Sequence, residues 1–132
     1  MVEQIVMDSS AMIALLEQEE GWEIVEKNLS NAIISSVNLS EVIAVINRKV
    51  AEDDGAQEEA LRLLRNSFCN VIGFEEEQAV IAGLLDKITK KYGLSLGDRA
   101  CLALAKYKNC SVLTGDRVWK ELELGIDVRL IR

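Results

Sequence analysis

Asp8, Glu41, Asp98 and Asp116 each stand where a helix is expected to begin, and Asp8 and Asp116 directly follow expected strands. A parallel α/β sheet gathers its strand ends along one edge, where ligands bind. Four carboxylates brought to such an edge repel one another, and a hard cation among them removes that cost. The chain has no histidine, so carboxylate-held metal is its readiest route to hydrolytic chemistry. A simpler account exists for each acid alone. Asn38-x-x-Glu41 and Ser95-x-x-Asp98 have the form of capping boxes, and Asp8 and Asp116 have the form of N-caps. An acid at a helix start gains ~0.3–1 kcal/mol from the macrodipole. Capping and metal binding are compatible, so the set of four and its neighbours carry the inference, not any one acid.

The elements that must position these acids follow from apolar spacing. Residues 4–7 read as a short buried strand ending in the helix-start run Asp8-Ser9-Ser10. Residues 11–16 form an apolar helix that Gly21 interrupts, and a second short helix spans 25–29. Residues 32–35 are a second strand. Asn38-Leu39-Ser40-Glu41 opens a helix with Leu39, Val42, Ile43, Ile46 and Val50 on one face. Asp53-Asp54-Gly55 is a turn, and Leu61, Leu64 and Phe68 share a helical stripe. Residues 70–74 are a third strand. Val80, Ile81, Leu84, Leu85 and Ile88 mark an amphipathic helix closed near Gly93. The helix opened by Ser95 is apolar all round from Ala100 to Ala105, which predicts deep burial. Residues 111–114 are a strand met at once by Asp116, then come a short helix over 118–122 and a last strand over 128–131. Strands alternating with helices predict an α/β fold with a parallel sheet.

The 132 residues fit one domain over 1–132, and half of them are hydrophobic, enough for a core. The formal charge of −7 argues against tight unaided binding of nucleic acid, which requires Lys and Arg against phosphate. It suits a basic protein partner. Cys69, Cys101 and Cys110 lack CxxC spacing, and with no histidine they make neither a disulfide framework nor a zinc site. Cys101, in an apolar helical run, is expected to be buried and inert. The N-terminus has no basic, apolar signal pattern, and no apolar run approaches the ~20 residues needed to span a bilayer. A cytoplasmic location without membrane attachment is the expectation.

The chain resembles the PIN-domain superfamily and, within it, VapC-type toxins of toxin–antitoxin modules. The resemblance covers nearly the whole chain. It rests on Val6-Met7-Asp8-Ser9-Ser10-Ala11, on Ser40-Glu41, on the run from Leu94 to Ala105 that contains Leu96-Gly97-Asp98-Arg99, and on Leu113-Thr114-Gly115-Asp116-Arg117-Val118-Trp119. It implies a three-layer α/β/α fold about a mainly parallel sheet of about five strands. It also implies an endoribonuclease that hydrolyses RNA with Mg2+ or Mn2+ held by Asp8, Glu41, Asp98 and Asp116. Thr114 matches a supporting polar position. A homodimer and a cognate antitoxin seated in the active-site groove are the implied partners. No acid of the pattern is missing.

Several residues keep two readings. Thr114 either bonds a ligand or satisfies strand-end backbone. Ser9 caps a helix or orients Asp8. Arg99 and Arg117 contact phosphate or pair with surface acids. Trp119 is expected to pack its short helix. The apolar faces of the first helices are candidates for both dimer and antitoxin contacts. The competing functional class is a non-catalytic PIN-like or flavodoxin-like binding module. A phosphoacceptor receiver domain would have a second acid beside Asp8, and a dinucleotide or P-loop fold would have a Gly-rich first turn; Asp8-Ser9-Ser10-Ala11 has neither.

Overall fold

The computed structural model describes residues 3–49, 55–66 and 69–132. The strands are β1 (Ile5–Met7), β2 (Ala32–Ser35), β3 (Asn70–Ile72), β4 (Ser111–Thr114) and β5 (Val128–Leu130), and the helices are α1 (Ser9–Glu17), α2 (Trp22–Asn28), α3 (Ser36–Lys49), α4 (Ala56–Asn66), α5 (Glu76–Thr89) and α6 (Leu96–Lys108). Short 3₁₀ turns occupy Leu29–Asn31, Lys90–Tyr92 and Arg117–Glu121. The sheet has the order β3-β2-β1-β4-β5, and every neighbouring pair is parallel.

The central strand shows how a short apolar run builds this fold. Successive side chains point to opposite faces. Ile5 and Met7 join Met12, Val25 and Val42 in one core, while Val6 joins Leu85, Leu102, Leu104 and Trp119 in the other. Helices α1, α2 and α3 therefore cover one face, and α5, α6 and the 117–121 turn cover the second. This is the expected α/β/α sandwich. Every residue from Ala100 to Ala105 is at most 1 % exposed, as the all-round apolar pattern of α6 predicted. Trp119 is fully buried and packs as expected. Gly21 separates α1 from α2 for a physical reason: its φ is +94°, and a Cβ there would lie 2.2 Å from the Ile131 carbonyl oxygen.

Four expectations need correction. Helix α3 starts at Ser36, with the Val37 N–H donating to Ser35 Oγ at 3.2 Å, so Asn38 and Glu41 lie inside the helix and form no capping box. The 118–122 helix is a 3₁₀ turn over Arg117–Glu121. On α5 the face toward the protein is Gln78, Ala82, Leu85 and Thr89, while Val80, Leu84 and Ile88 point outward. Exposed apolar side chains accordingly concentrate on α5 and not on the first helices, where Ile24 is the large one among the described residues. Val50, Asp53, Asp54 and Phe68 lie outside the described residues. Among the described residues no helix is long and apolar enough to cross a membrane.

Strand order positions the site. From β1 the chain moves outward through β2 to β3, then returns to the other side of β1 for β4 and β5. Connections leaving β1 and β4 diverge, which opens a crevice at their carboxyl ends. Asp8 follows β1 and Asp116 lies just beyond β4.

Candidate active site at the switch point of the sheet

Asp8 is 4 % exposed and caps α1, its Oδ1 accepting from the Ala11 N–H at 2.9 Å. Ser10 Oγ donates to the same carboxylate, 2.7 Å from Oδ1 and 2.9 Å from Oδ2. Thr114 Oγ1 donates to Asp8 Oδ2 at 2.5 Å and accepts from the Asp116 N–H at 3.0 Å. The Gly115 N–H donates to Ser10 Oγ at 2.9 Å. Two hydroxyls thus tie the ends of β1 and β4 into one unit. Burial raises the pKa of Asp8 to about 6, against the opposing pull of these donors, and the charge of Asp98 adds to the rise.

Glu41 and Asp98 reach the same place from helices on opposite faces of the sheet. Glu41 Oε1 accepts from Ser9 Oγ at 3.0 Å and from Asn38 Nδ2 at 2.9 Å. Asn38 Nδ2 also donates to the Gly97 carbonyl at 2.9 Å, which fastens α3 to the start of α6. The Glu41 carboxylate lies directly on Gly97, where a Cβ would fall 2.1 Å from Oε2. Asp98 completes a true capping box: Ser95 N–H donates to its Oδ2 at 2.9 Å, and its own N–H donates to Ser95 Oγ at 3.2 Å. Burial raises the Asp98 pKa, and the charges of Glu41 and Asp116 raise it further. Asp98 is therefore within electrostatic reach of all three other acids. Asp116 is the exposed member and caps the 3₁₀ turn, accepting from the Val118 N–H at 3.1 Å.

Oxygen-only donors match hard cations such as Mg2+, which keep several waters and take one or two carboxylates. A buried, elevated carboxylate surrounded by other acids gains from such a cation. Capping uses Oδ2 of Asp98 and Oδ1 of Asp116, which leaves the second oxygen of each for a ligand. Among the described residues no group of three or more acidic or cysteine side chains is already drawn together to hold a metal ion. The donor chemistry therefore fits, while the acids are spread along an edge.

The structure resolves Ser9, Thr114 and Arg99 among the residues with two readings. Ser9 bonds Glu41, not Asp8, and Ser10 is the serine on Asp8. Thr114 both bonds Asp8 and satisfies backbone. Arg99 turns away to α5, donating to the Ala82 carbonyl at 2.9 Å and standing 3.8 Å from Asp86. Cys101 is fully buried below the acids, and burial together with their charges pushes its thiol pKa up. Sequence patterns pointed to neither Asn38 nor Gly97 as a site neighbour, since both act through a contact between helices far apart in the chain. Arg132 also went unremarked. Its guanidinium lies so close to Gly115 that a Cβ there would be 2.9 Å from Nη2, and it is anchored by the Glu20 carbonyl at 3.0 Å. An apolar hollow of about 150 Å³ bordered by Met12, Ile34, Leu39 and Ile43 is a separate feature that none of the four acids lines.

The sequence profile of the PIN domain matches residues 5–124. The chain belongs to the PIN-domain family. Solved structures agree at the level of fold. VapBC from Salmonella typhimurium, determined bound to DNA, superposes with a TM-score of 0.73 at 20 % identity, covering 99 % of this chain and 100 % of that one. VapBC2 from Rickettsia felis, bound to a promoter DNA fragment, gives 0.73 at 14 % identity over 96 % and 97 %. VapBC-5 from Mycobacterium tuberculosis gives 0.67 at 19 % identity over 99 % of both chains. No curated protein matches the sequence significantly. In this PIN chain, then, the acid-lined crevice is the switch point of the family's own sheet.

Proposed function

We propose that this PIN domain, spanning residues 1–132, is the toxin of a VapBC-type module in the cytoplasm and cleaves RNA as a divalent-metal-dependent endoribonuclease. The carrying observation is geometric: Thr114 ties Asp8 to the Asp116 backbone at the strand ends, and Asn38 and Gly97 bring Glu41 against the start of α6, where Asp98 stands. Asp8, Asp98 and Asp116 are assigned to hold the metal, Mg2+ or Mn2+, directly or through water. When bound, the metal supplies Lewis acidity and lowers the pKa of water to make a nucleophile near neutral pH. Glu41, pinned by Ser9 and Asn38, orients the attacking water or adds a fourth ligand. Thr114 and Ser10 hold the Asp8 carboxylate in place. Arg132, beside Gly115 and held by the Glu20 carbonyl, is assigned to the RNA phosphate.

Four acids in one crevice also define how a partner silences it. A basic segment of the antitoxin that places Arg or Lys among them competes with the metal, and its affinity falls as salt rises. The solved VapBC complexes are consistent with a protein partner of this kind.

RNA incubated with purified, partner-free protein in Mg2+, Mn2+ or EDTA tests the reading. Cleavage should require metal, leave 5′-phosphate and 3′-hydroxyl ends, and vanish in Asp98→Asn. Ends carrying 2′,3′-cyclic phosphate would overturn the mechanism. Folded protein that binds RNA but never cuts it would favour the binding-module reading.

A further inference from the structure

Two 3₁₀ turns border a second cleft, of about 310 Å³, a volume at which small-ligand sites begin. The Lys90–Tyr92 turn, at the end of α5, supplies Lys91 and Tyr92. Glu121, which ends the Arg117–Glu121 turn, and Glu123 just past it supply the opposite wall. Ile88, Leu122 and Leu124 give the cleft apolar lining. That second wall is fixed in place: the Leu122 N–H donates to the Trp119 carbonyl at 3.2 Å, and Leu122 and Leu124 pack against the core on the α6 side of the sheet.

The polar groups of the cleft are available to a ligand. Among the described residues no hydrogen bond or ion pair holds the side chain of Glu121, Glu123 or Lys91. Lys91 Nζ instead rests 5.2 Å from the centroid of the Tyr92 ring, so that face of the ring is not packed against the protein interior. An exposed contact of this kind is weak and yields to a phosphate. An aromatic face, free carboxylates and a lysine in one cleft match the parts of a single-stranded RNA nucleotide: flat base, donor edge and phosphate. Of the four bases guanine alone sets two donors, N1–H and N2–H, side by side on its pairing edge, and carboxylate oxygens accept both. Uracil would turn carbonyl oxygens toward the same acids. An arginine of a protein partner would also meet the carboxylates, but the Lys91 ammonium in the same cleft repels it and attracts phosphate.

Topology sets the cleft beside the four acids. Glu121 ends the turn that Asp116 caps, ~10 Å along at the ~2 Å rise per residue of a 3₁₀ helix. Tyr92 lies three residues before Ser95, which caps the helix of Asp98. The segments that build the two walls are therefore those that carry Asp98 and Asp116, and one strand of RNA can lie across both cleft and crevice.

We propose that this cleft is a guanine subsite for the RNA substrate: the base stacks on Tyr92, Glu121 and Glu123 accept its N1–H and N2–H donors, and Lys91 leaves the ring for a phosphate. The inference rests on the RNA reading of the crevice for the class of its ligand, and it decides which bond is cut, not whether one is cut. Nucleotide binding in EDTA is independent of cleavage, so a failure of the subsite and a failure of the nuclease are read separately.

Titration of the isotope-labelled chain in EDTA with guanosine, adenosine, cytidine and uridine monophosphates, followed by amide NMR, is the test. Guanosine monophosphate should shift the signals of Lys91, Tyr92 and residues 121–124 and bind at least ~10-fold tighter than the other three. Glu121→Gln combined with Glu123→Gln should erase that preference, and Tyr92→Ala should weaken guanosine monophosphate at least ~5-fold. Far-UV circular dichroism should stay unchanged, because none of these side chains is buried. In the cleavage assay the parent should cut at a constant offset from a guanine, and the double Gln variant should still cut with that preference lost. Equal binding of the four nucleotides, shifts that fall outside the cleft, or cleavage indifferent to guanine overturns the proposal. Tighter binding of N-acetyl-arginine amide than of guanosine monophosphate overturns it in favour of a basic protein segment. Guanine-selective binding by a chain that cuts no RNA supports the subsite and counts against the nuclease.

Discussion

The crevice has two sides built by different means. On one side Asp8 and Asp116 come from the ends of adjacent strands, and the backbone ladder sets their separation. Asp8 N–H itself donates to the Leu113 carbonyl at 3.2 Å, and Thr114 spans both acids. On the other side Glu41 and Asp98 ride on helices from opposite layers, and side-chain contacts bring them together through Asn38 and Gly97. The strand side is preorganised by the same hydrogen bonds that make the sheet. The helix side depends on how closely α3 approaches α6, so small changes in packing should cost it more function than stability.

The sharpest break comes from Asp98, the helix-side acid that lies within electrostatic reach of the strand-side pair. Asp98→Asn keeps the Ser95 cap largely intact through its amide oxygen, so the fold should persist. RNA cleavage should fall at least ~10²-fold, the scale of losing one charge-stabilising group at a reacting centre. Gly97→Ala isolates the helix side. Alanine suits a helix better than glycine by ~1 kcal/mol, yet its Cβ would fall 2.1 Å from Glu41 Oε2 and push that flexible side chain away. Cleavage should drop ~10–100-fold, as for lost supporting contacts at metal sites, with the melting temperature little changed. A melting temperature that collapses along with activity would show that the approach is structural and not a site constraint.

Thr114→Val addresses the strand side. It removes the donor to the buried Asp8 carboxylate and the acceptor for the part-buried Asp116 N–H. Stability should fall by ~1–3 kcal/mol and Mn2+ affinity by ~10-fold, measured by denaturant melts and calorimetry. The two sides then differ in kind, since the strand variant loses stability and function together.

A further expected effect is on pH, read in stability and not in cleavage. The Asp8 pKa is raised from 3.8 to about 6 in the folded chain, chiefly by burial, so the fold favours the protonated acid. In EDTA, stability is therefore greatest below pH ~4 as far as Asp8 is concerned, and it declines as pH rises through ~6, by up to ~3 kcal/mol. Asp8→Asn should remove most of that decline. Added Mg2+ should recover stability at pH 7 and not at pH 4, because the metal needs the ionised carboxylate. Urea midpoints for parent and variant across pH 4–8 measure this difference. A parent and an Asp8→Asn variant that run parallel across that range would place the titration elsewhere.

How legible these parts were varies with the range of the interactions behind them. Helix α6 could be read directly, because a helix apolar all round has only one place to go. The cap at Asp8 and the capping box at Ser95–Asp98 are local, made by residues within a turn of one another, and the sequence carries them. The start of α3 misled: Asn38 has the type and spacing of a cap, yet its amide is used 59 residues away on Gly97. Ser9 and Ser10 are equivalent as letters. Which one meets Asp8 depends on the entry angle of α1 and on contacts to Glu41 and Gly115 across 32 and 105 positions.

Composition and periodicity by themselves determined the α/β class, the parallel sheet, the burial of α6 and the placing of Asp8, Asp98 and Asp116 at element starts. These follow from short-range sterics and from the demand that apolar faces leave water. Only the tertiary structure decided the rotation of α5, the meeting of Glu41 with Gly97 and the hydroxyl bridge from Asp8 to Asp116. The α5 sequence carries two adjacent apolar rows, and periodicity is indifferent to which one faces inward. The small side chain of Ala82 and the Arg99 bond to its carbonyl favour one rotation, and the row of Val80, Leu84 and Ile88 is left exposed.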